Sequence, residues 1–311
     1  MNDAVFQRRL SAFKQEGDML SFNLALVSEA LDTIQELSDQ NIGGETVEQR
    51  IGEYKNWDPE IFRVDKDTED DYTARLRQTG KPYVLLSEEA GRVEVNPDKP
   101  GDPLYVVCDP FDGSYLFKRG IPDFWYSSFA FYGSNFDPKC CVVGDAVQKA
   151  LAFADESSAY IAKLEGEGIV HKFKLGKEYR DRMGRKDVTE LKDASIESYA
   201  MKPTKYLLPL VEKYGDVFAP FKFFLPNGGP YAFADVAEGK IDCYFSFKQP
   251  FVDVFSGIQI AEKGEVVVTD FDGNPVRCRD NVKTVWDVLV TTNETLHAKI
   301  LDEIAKCKAK M

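Results

Sequence analysis

The stretch LYVVCDPFDGS (residues 104–114) runs a block of apolar side chains directly into two aspartates spaced three apart on a Pro/Gly turn. A short apolar run bounded by turn residues reads as a buried strand, so the aspartates stand at its carboxyl end, where side chains face a cleft. The pattern recurs. PYVLLSEEAG (82–91) runs out into Glu88 and Glu89, and QPFVDVFSG (249–257) opens a helix on Asp253. Carboxylates gathered this way repel one another unless a cation joins them, which limits what the surrounding chain can be.

The remaining chain supplies a frame for these ends. Apolar residues at helical spacing (Leu10, Phe13, Leu20, Leu24, Val27, Leu31, Ile34, Leu37) predict one or two long amphipathic helices ending near Gly43 and Gly44. A second helix follows Asp65 and stops at Gly80, and residues 123–133 and 139–155 read as sheet strands. Residues 157–175 read as a hairpin, and the charged run EYRDRMGRKDVTELKD (178–193) as a solvated connection. Beyond it come a helix over 206–214, the turn LPNGGPY, a helical FADVAEG, the strand KIDCYFSF, a helix from Asp253 and the strand VVVTDFDG. Strands alternating with helices predict an α/β layered architecture, and the consecutive strands over 124–175 add antiparallel, α+β character. We divide the chain into an N-terminal α+β sub-domain, 1–165, which carries the acidic motifs, and a C-terminal α/β sub-domain, 166–311, which completes the site.

Composition excludes more than it identifies. A net charge of −13 repels phosphate backbones, so nucleic acid is not an expected partner, and an anionic substrate needs a bridging cation. Only His171 and His297 occur, which rules out a three-histidine zinc site, and both read as solvated surface residues. Six cysteines without a C-x-x-C pair read as buried thiols of a cytoplasmic protein. No apolar run approaches the ~20 residues that span a bilayer, no secretory signal is evident, and the esterase-elbow, P-loop and dinucleotide motifs have no match.

In DPFDGS, Asp109 and Asp112 are close enough to reach one or two divalent cations, and oxygen-only ligands suit Mg²⁺. The amides of Gly113 and Ser114 leave the turn available to a phosphate. The competing local account is a plain Asp/Pro/Gly surface turn, with Glu88-Glu89 a solvated strand end and Asp253 a helix cap.

Taken in order, VDKDTE (64–69), LLSEEAG (85–91), DPFDGS (109–114) and QPFVDVFSGIQIAEKGEVVVTDFDGNP (249–275) resemble the inositol monophosphatase and fructose-1,6-bisphosphatase superfamily of Mg²⁺-dependent, lithium-sensitive phosphatases. The resemblance implies a layered αβαβα sandwich of the sugar-phosphatase type. It implies that Glu88, Asp109 and the Phe111 carbonyl hold one cation, and Asp109, Asp112 and Asp253 a second. Two or three Mg²⁺ ions, or Mn²⁺, would serve a site in which Asp65 and Ser114 orient and help deprotonate a water, with Glu88 assisting the chemistry. It further implies a dimer or tetramer. The activity expected is hydrolysis of a small polyol or sugar phosphate, of the inositol monophosphate kind, or of fructose 1,6-bisphosphate.

There are departures. Ser246 stands where inositol enzymes carry a substrate-binding glutamate, Val252 replaces a tryptophan, and Asn227-Gly228-Gly229-Pro230 replaces the Gly-Ser/Thr-Ala lining, leaving Gly229 and Ser246 as the substrate-pocket residues. Arg180, Arg182, Arg185 and Lys186 form a cationic group within reach of a second phosphate in one reading, and a salt-bridged surface in another. Two other functions compete: a haloacid-dehalogenase-type phosphatase using Asp270 as nucleophile, and a silent metal- or phosphosugar-binding protein.

Overall fold

The computed structural model describes residues 3–50, 59–282 and 284–310. Its elements run α1 (Asp3–Phe13), α2 (Asp18–Asp39), β1 (Thr46–Gln49), β2 (Glu60–Phe62), α3 (Arg63–Gln78), β3 (Tyr83–Ser87), β4 (Gly91–Val95), β5 (Leu104–Asp112) and α4 (Ser114–Lys118). They continue with β6 (Tyr126–Tyr132), β7 (Pro138–Asp145), β8 (Ala150–Ala154), β9 (Ala159–Glu165), β10 (Gly168–Lys174), α5 (Lys177–Arg182), β11 (Ser195–Glu197), α6 (Leu208–Phe218) and β12 (Phe223–Leu225). The chain closes with α7 (Ala232–Glu238), β13 (Cys243–Gln249), α8 (Phe251–Phe255), α9 (Ile258–Lys263), β14 (Val267–Asp270), β15 (Trp286–Thr291) and α10 (Glu294–Lys310).

Two mixed sheets carry the architecture. The larger has the order β10-β9-β8-β7-β6-β5-β3-β4, with only β3 and β5 parallel; the smaller has the order β12-β11-β13-β15-β14. Strand alternation decides which face meets which helices. Val106 and Cys108 of β5, with Leu85, Phe129 and Phe153, pack on α2 and α3 through Leu24, Val27, Ile34, Tyr72 and Leu76. Val107, Ala130 and Val143 point the other way, onto Phe233 and Val236 of α7, Val254 of α8 and Ile260 of α9, which in turn cover Tyr244, Val288 and Val290 of the small sheet. The opposite face of that sheet, Phe245, Phe247 and Leu289, receives Leu210 and Tyr214 of α6 and Ile300 and Ile304 of α10. The order of layers is therefore helix, sheet, helix, sheet, helix. Each fully buried Leu, Ile, Val or Phe contributes about 1.5–3 kcal/mol, so three continuous cores suffice to hold five layers. Gly144 of β7 lets α2 come close, since a Cβ there would stand 2.8 Å from Leu31 Cδ1 and 2.9 Å from Val27 Cγ1.

The helical stretch expected over residues 1–40 is present as two helices, α1 and α2, separated at Gly17 and ending at Asp39. Other expectations are corrected. The cut placed between residues 165 and 166 falls in the turn joining β9 and β10, inside the large sheet. His171 is exposed at φ +51° in the irregular part of that hairpin, as a solvated residue, but His297 is buried, with Thr269 Oγ1 2.8 Å from Nε2 and Thr291 Oγ1 2.9 Å from Nδ1. Strands β11, β12 and β15 had no reading in the sequence because their partners come from far along the chain. Among the described residues no helix is long and apolar enough to cross a membrane, and all six cysteines are unbridged.

Candidate active site

The turn after β5 is shaped by hydroxyls beneath it. Pairing between β5 and β6 slips between Asp109 and Asp112, and the freed Pro110 carbonyl accepts a 2.6 Å bond from Ser127 Oγ, itself 2.6 Å from the Tyr72 hydroxyl. Ser128 Oγ lies 2.6 Å from Ser256 Oγ, and Ser256 Oγ donates to the Val252 carbonyl at 2.6 Å, which ties α8 and its Asp253 to the end of β5. Gly113 follows at φ +105°, where a Cβ would overlap the Phe124 carbonyl oxygen, so glycine is required for both reasons. The Glu88-Glu89 turn is fixed in the same way: Glu69, from α3, accepts from Ser87 Oγ and, at 3.0 Å, from the Ala90 amide.

Onto this frame the acidic groups converge. Asp65 lies in the first turn of α3, where its Oδ2 accepts the Phe62 amide at 2.9 Å and its Oδ1 accepts Ser114 Oγ at 2.5 Å. Burial nonetheless pushes the Asp65 carboxyl up to about 7. Ser114 Oγ is also 3.2 Å from the Phe111 carbonyl oxygen. Asp109 is 1% exposed, its Oδ1 has no hydrogen-bond partner, and burial together with the charges of Glu88, Asp112 and Asp253 holds its carboxyl well above the usual range. Asp112 is raised to about 7 by burial and by Glu88, against Lys202 and the Gly113 amide, which lower it. Asp253 is raised well above the ordinary value by burial, then by Asp112 and Glu88, with Lys205 and Lys202 opposing. Gly229 stands against Asp112 at φ +79°; a Cβ there would overlap Asp112 Oδ2.

These residues fit a divalent cation by the chemistry of the donors: all oxygen, mutually repelling, with one buried carboxylate oxygen left unpartnered. They do not yet form a closed cage, since no group of three His, Cys, Asp or Glu among the described residues stands ready to hold an ion. Ser246 is fully buried on β13 with its Oγ unpartnered; its link to the acids runs through Tyr244, two residues away, whose hydroxyl feels Asp253 and Asp112.

The chain is similar to two proteins named fructose-1,6-bisphosphatase/inositol-1-monophosphatase: that of Thermococcus kodakarensis is 27% identical over 282 residues, 88% of this chain and 94% of that one. The one of Methanothermobacter thermautotrophicus is 23% identical over 247 residues, 78% of this chain and 82% of the other. Among solved structures, the Thermotoga maritima IMPase shares the fold with a TM-score of 0.68 at 17% identity, covering 94% of this chain and 99% of its own. Inositol monophosphatase II of Staphylococcus aureus does so at 0.66 and 20%, covering 93% of each chain. No protein-family model matches. In sequence the chain is thus similar to proteins named for both activities, and in fold to solved inositol monophosphatases.

Several groups at the site had no signal in the sequence. Arg50, at the end of β1, donates from Nε to Glu89 Oε2 at 2.8 Å and from Nη2 to Glu89 Oε1, and its Nη2 is 3.6 Å from Glu88 Oε1. Lys202 precedes and Lys205 lies within a π-helical turn, Pro203–Leu207; the charge of Lys202 acts on Asp112, and both act on Asp253. The buried Tyr206 joins them, its ring 4.9 Å from that of Tyr199.

Other candidates lie elsewhere. Asp270 is spent on its own turn, its Oδ1 accepting the amides of Asp272 and Asn274, each at 2.8 Å, which leaves it no nucleophile's freedom. Arg180 is buried and donates to the carbonyls of Ala237, Gly264 and Glu265, so it packs the fold and is no phosphate ligand. Arg185 likewise donates to the Glu238 carbonyl.

Proposed function

We propose that this chain is a metal-dependent phosphomonoesterase acting on a small polyol or sugar phosphate. The observation that carries the reading is the Ser114–Asp65 hydrogen bond set beside the unpartnered, buried Asp109 carboxylate. Glu88, Asp109, Asp112 and Asp253, with the Phe111 carbonyl oxygen, would hold Mg²⁺ or Mn²⁺, two or three ions in all. Bound there, the ions supply Lewis acidity at the phosphoryl oxygens and at the attacking water.

The chain's own residues do the rest. Ser114 Oγ, donating to Asp65 Oδ1, keeps its lone pairs for a water and orients it for attack on phosphorus. Asp65, whose carboxyl burial raises to about 7, takes up the water's proton through that hydroxyl. The Ser114 amide binds a phosphoryl oxygen, and the Gly113 amide, which also supports Asp112, adds a second donor. Gly229, held against Asp112, borders the sugar, while Ser246, fully buried, offers no carboxylate acceptor for the sugar's hydroxyls.

A second reading within the same chemistry is a bisphosphatase. Lys202 and Lys205 face Asp112 and Asp253 and suit a second anionic group, and the curated relatives carry both activities in their name. The test is phosphate release with Mg²⁺ from inositol 1-phosphate and fructose 1,6-bisphosphate, with Lys202→Gln and Asp253→Asn alongside. Release lost in Asp253→Asn supports the site; a KM increase in Lys202→Gln confined to the bisphosphate selects the second reading. Metal-dependent release from neither substrate, with Mg²⁺ bound, rejects the substrate class.

A further inference from the structure

Arg50 and Glu89 form a buried ion pair, their side chains 4% and 3% exposed, within the acidic site itself. Nothing in the proposed hydrolysis uses either group. A planar guanidinium matches a carboxylate with two parallel donors, and Arg50 engages both oxygens of Glu89 in this way. Its Nη2 then stands 3.6 Å from Glu88 Oε1, beyond hydrogen-bond range yet within direct ionic attraction. Asp65 feels the same positive charge. Glu69 anchors the Glu88-Glu89 turn from below through Ser87 and Ala90, so neither glutamate gains its position by moving the backbone. The two lysines act at the Asp112 and Asp253 end, which leaves the Glu88 and Glu89 end to the guanidinium.

We propose that Arg50 is a determinant of cation binding: it withholds Glu89 from the ligand set and shares Glu88, so a divalent ion must displace the guanidinium to use Glu88. This rests on the reading of Glu88 as a cation ligand. A fixed positive charge a few ångströms from the ligand opposes an incoming dication, while the two-pronged hold on Glu89 keeps the guanidinium from closing fully on Glu88. Removing Arg50 therefore tightens cation binding. Removing Glu89 loosens it, because the guanidinium then turns wholly to Glu88.

The experiment measures Mn²⁺ binding to the full-length, phosphate-free protein by isothermal titration and by the free-Mn²⁺ electron-spin signal, with no turnover involved. R50Q is expected to bind about tenfold tighter than wild type and E89Q about tenfold weaker. R50K keeps the charge but loses the two-pronged hold on Glu89, so it should bind no tighter than wild type, and an R50K as tight as R50Q overturns the role of the charge. The double variant R50Q/E89Q leaves no buried charge unpaired, so it folds even where R50Q does not. It should bind at least as tightly as wild type, whereas a double variant as weak as E89Q makes Glu89 itself a ligand and overturns the proposal. Binding unchanged or weakened in a folded R50Q overturns it as well. If wild type and every variant lack saturable Mn²⁺ binding, the metal-site reading itself fails; if wild type binds, D112N abolishes binding and R50Q changes nothing, only the role of Arg50 falls.

Discussion

Asp109 keeps one buried oxygen without a donor while the charges acting on it are those of other carboxylates, and this is the residue-level observation on which the proposed cation site rests. Asp112→Asn and Asp253→Asn are expected to lower Mg²⁺-dependent turnover by more than about 100-fold. Their melting temperatures should hold or rise slightly, since each removes a charge from a repelling group and no packed side chain. Near-normal turnover at saturating Mg²⁺ in either variant rejects the assignment. Gly229→Ala is a sharper probe, because the added methyl meets Asp112 Oδ2 and the backbone sits at φ +79°. It should cost about 1–3 kcal/mol of stability and displace the Asp112 carboxylate, weakening Mn²⁺ binding; binding equal to wild type would show that Asp112 is not a ligand. At this scale the acidic residues were legible as residue types at strand ends, but Arg50 was not, since its partner Glu89 lies 39 positions away and no local pattern announces the pair.

At the scale of elements, helix α10 meets strands β14 and β15 through His297, which bonds Thr269 and Thr291 from the two strands. Burial lowers this imidazole to about 4 from an ordinary value near 6.5, so the folded protein holds it neutral. The unfolded chain binds the proton more readily, so the stability it contributes is complete above pH ~6.5 and drains away as pH falls towards ~4. The loss is on the order of 2–3 kcal/mol across that window. Thermal melts at pH 7 and pH 4.5 should show a smaller acid-induced drop for His297→Gln than for wild type; equal drops would show that the histidine is not the group responsible. The sequence placed His297 correctly on a helix and wrongly in solvent, because helical spacing does not reveal which side a neighbouring sheet will cover. Ser256 makes a similar point between α8 and β6, and its replacement by alanine should cost about 1 kcal/mol through the lost hydroxyl link to Ser128.

For the whole molecule, a net charge of −13 and a buried group of carboxylates both oppose the compact state by self-repulsion, and a divalent cation bound at the proposed site would relieve it. Mg²⁺ at a hundredfold excess over its Kd should add about 3 kcal/mol to the stability and raise the melting temperature by several degrees. Asp112→Asn should shrink that shift, and an equal shift in wild type and variant would assign it to cations bound elsewhere. Five layers separate three cores, and the carboxylates lie between the first sheet and the helices that follow it, at the place where α8 meets the end of β5.

The order of strands and helices, the two-faced alternation of β5 and β13 and the carboxylates at the ends of strands are local properties, written in spacings of two to four residues. The sequence alone therefore determined the layered α/β character and the acidic make-up of the candidate site. Which carboxylates meet, that Gly229 presses on Asp112, that Arg50 closes on Glu89 and that His297 and Arg180 lie inside were decided only by the tertiary structure. Each depends on a contact between segments far apart in the chain, and the energy of such a contact follows distance in space, which local periodicity does not encode.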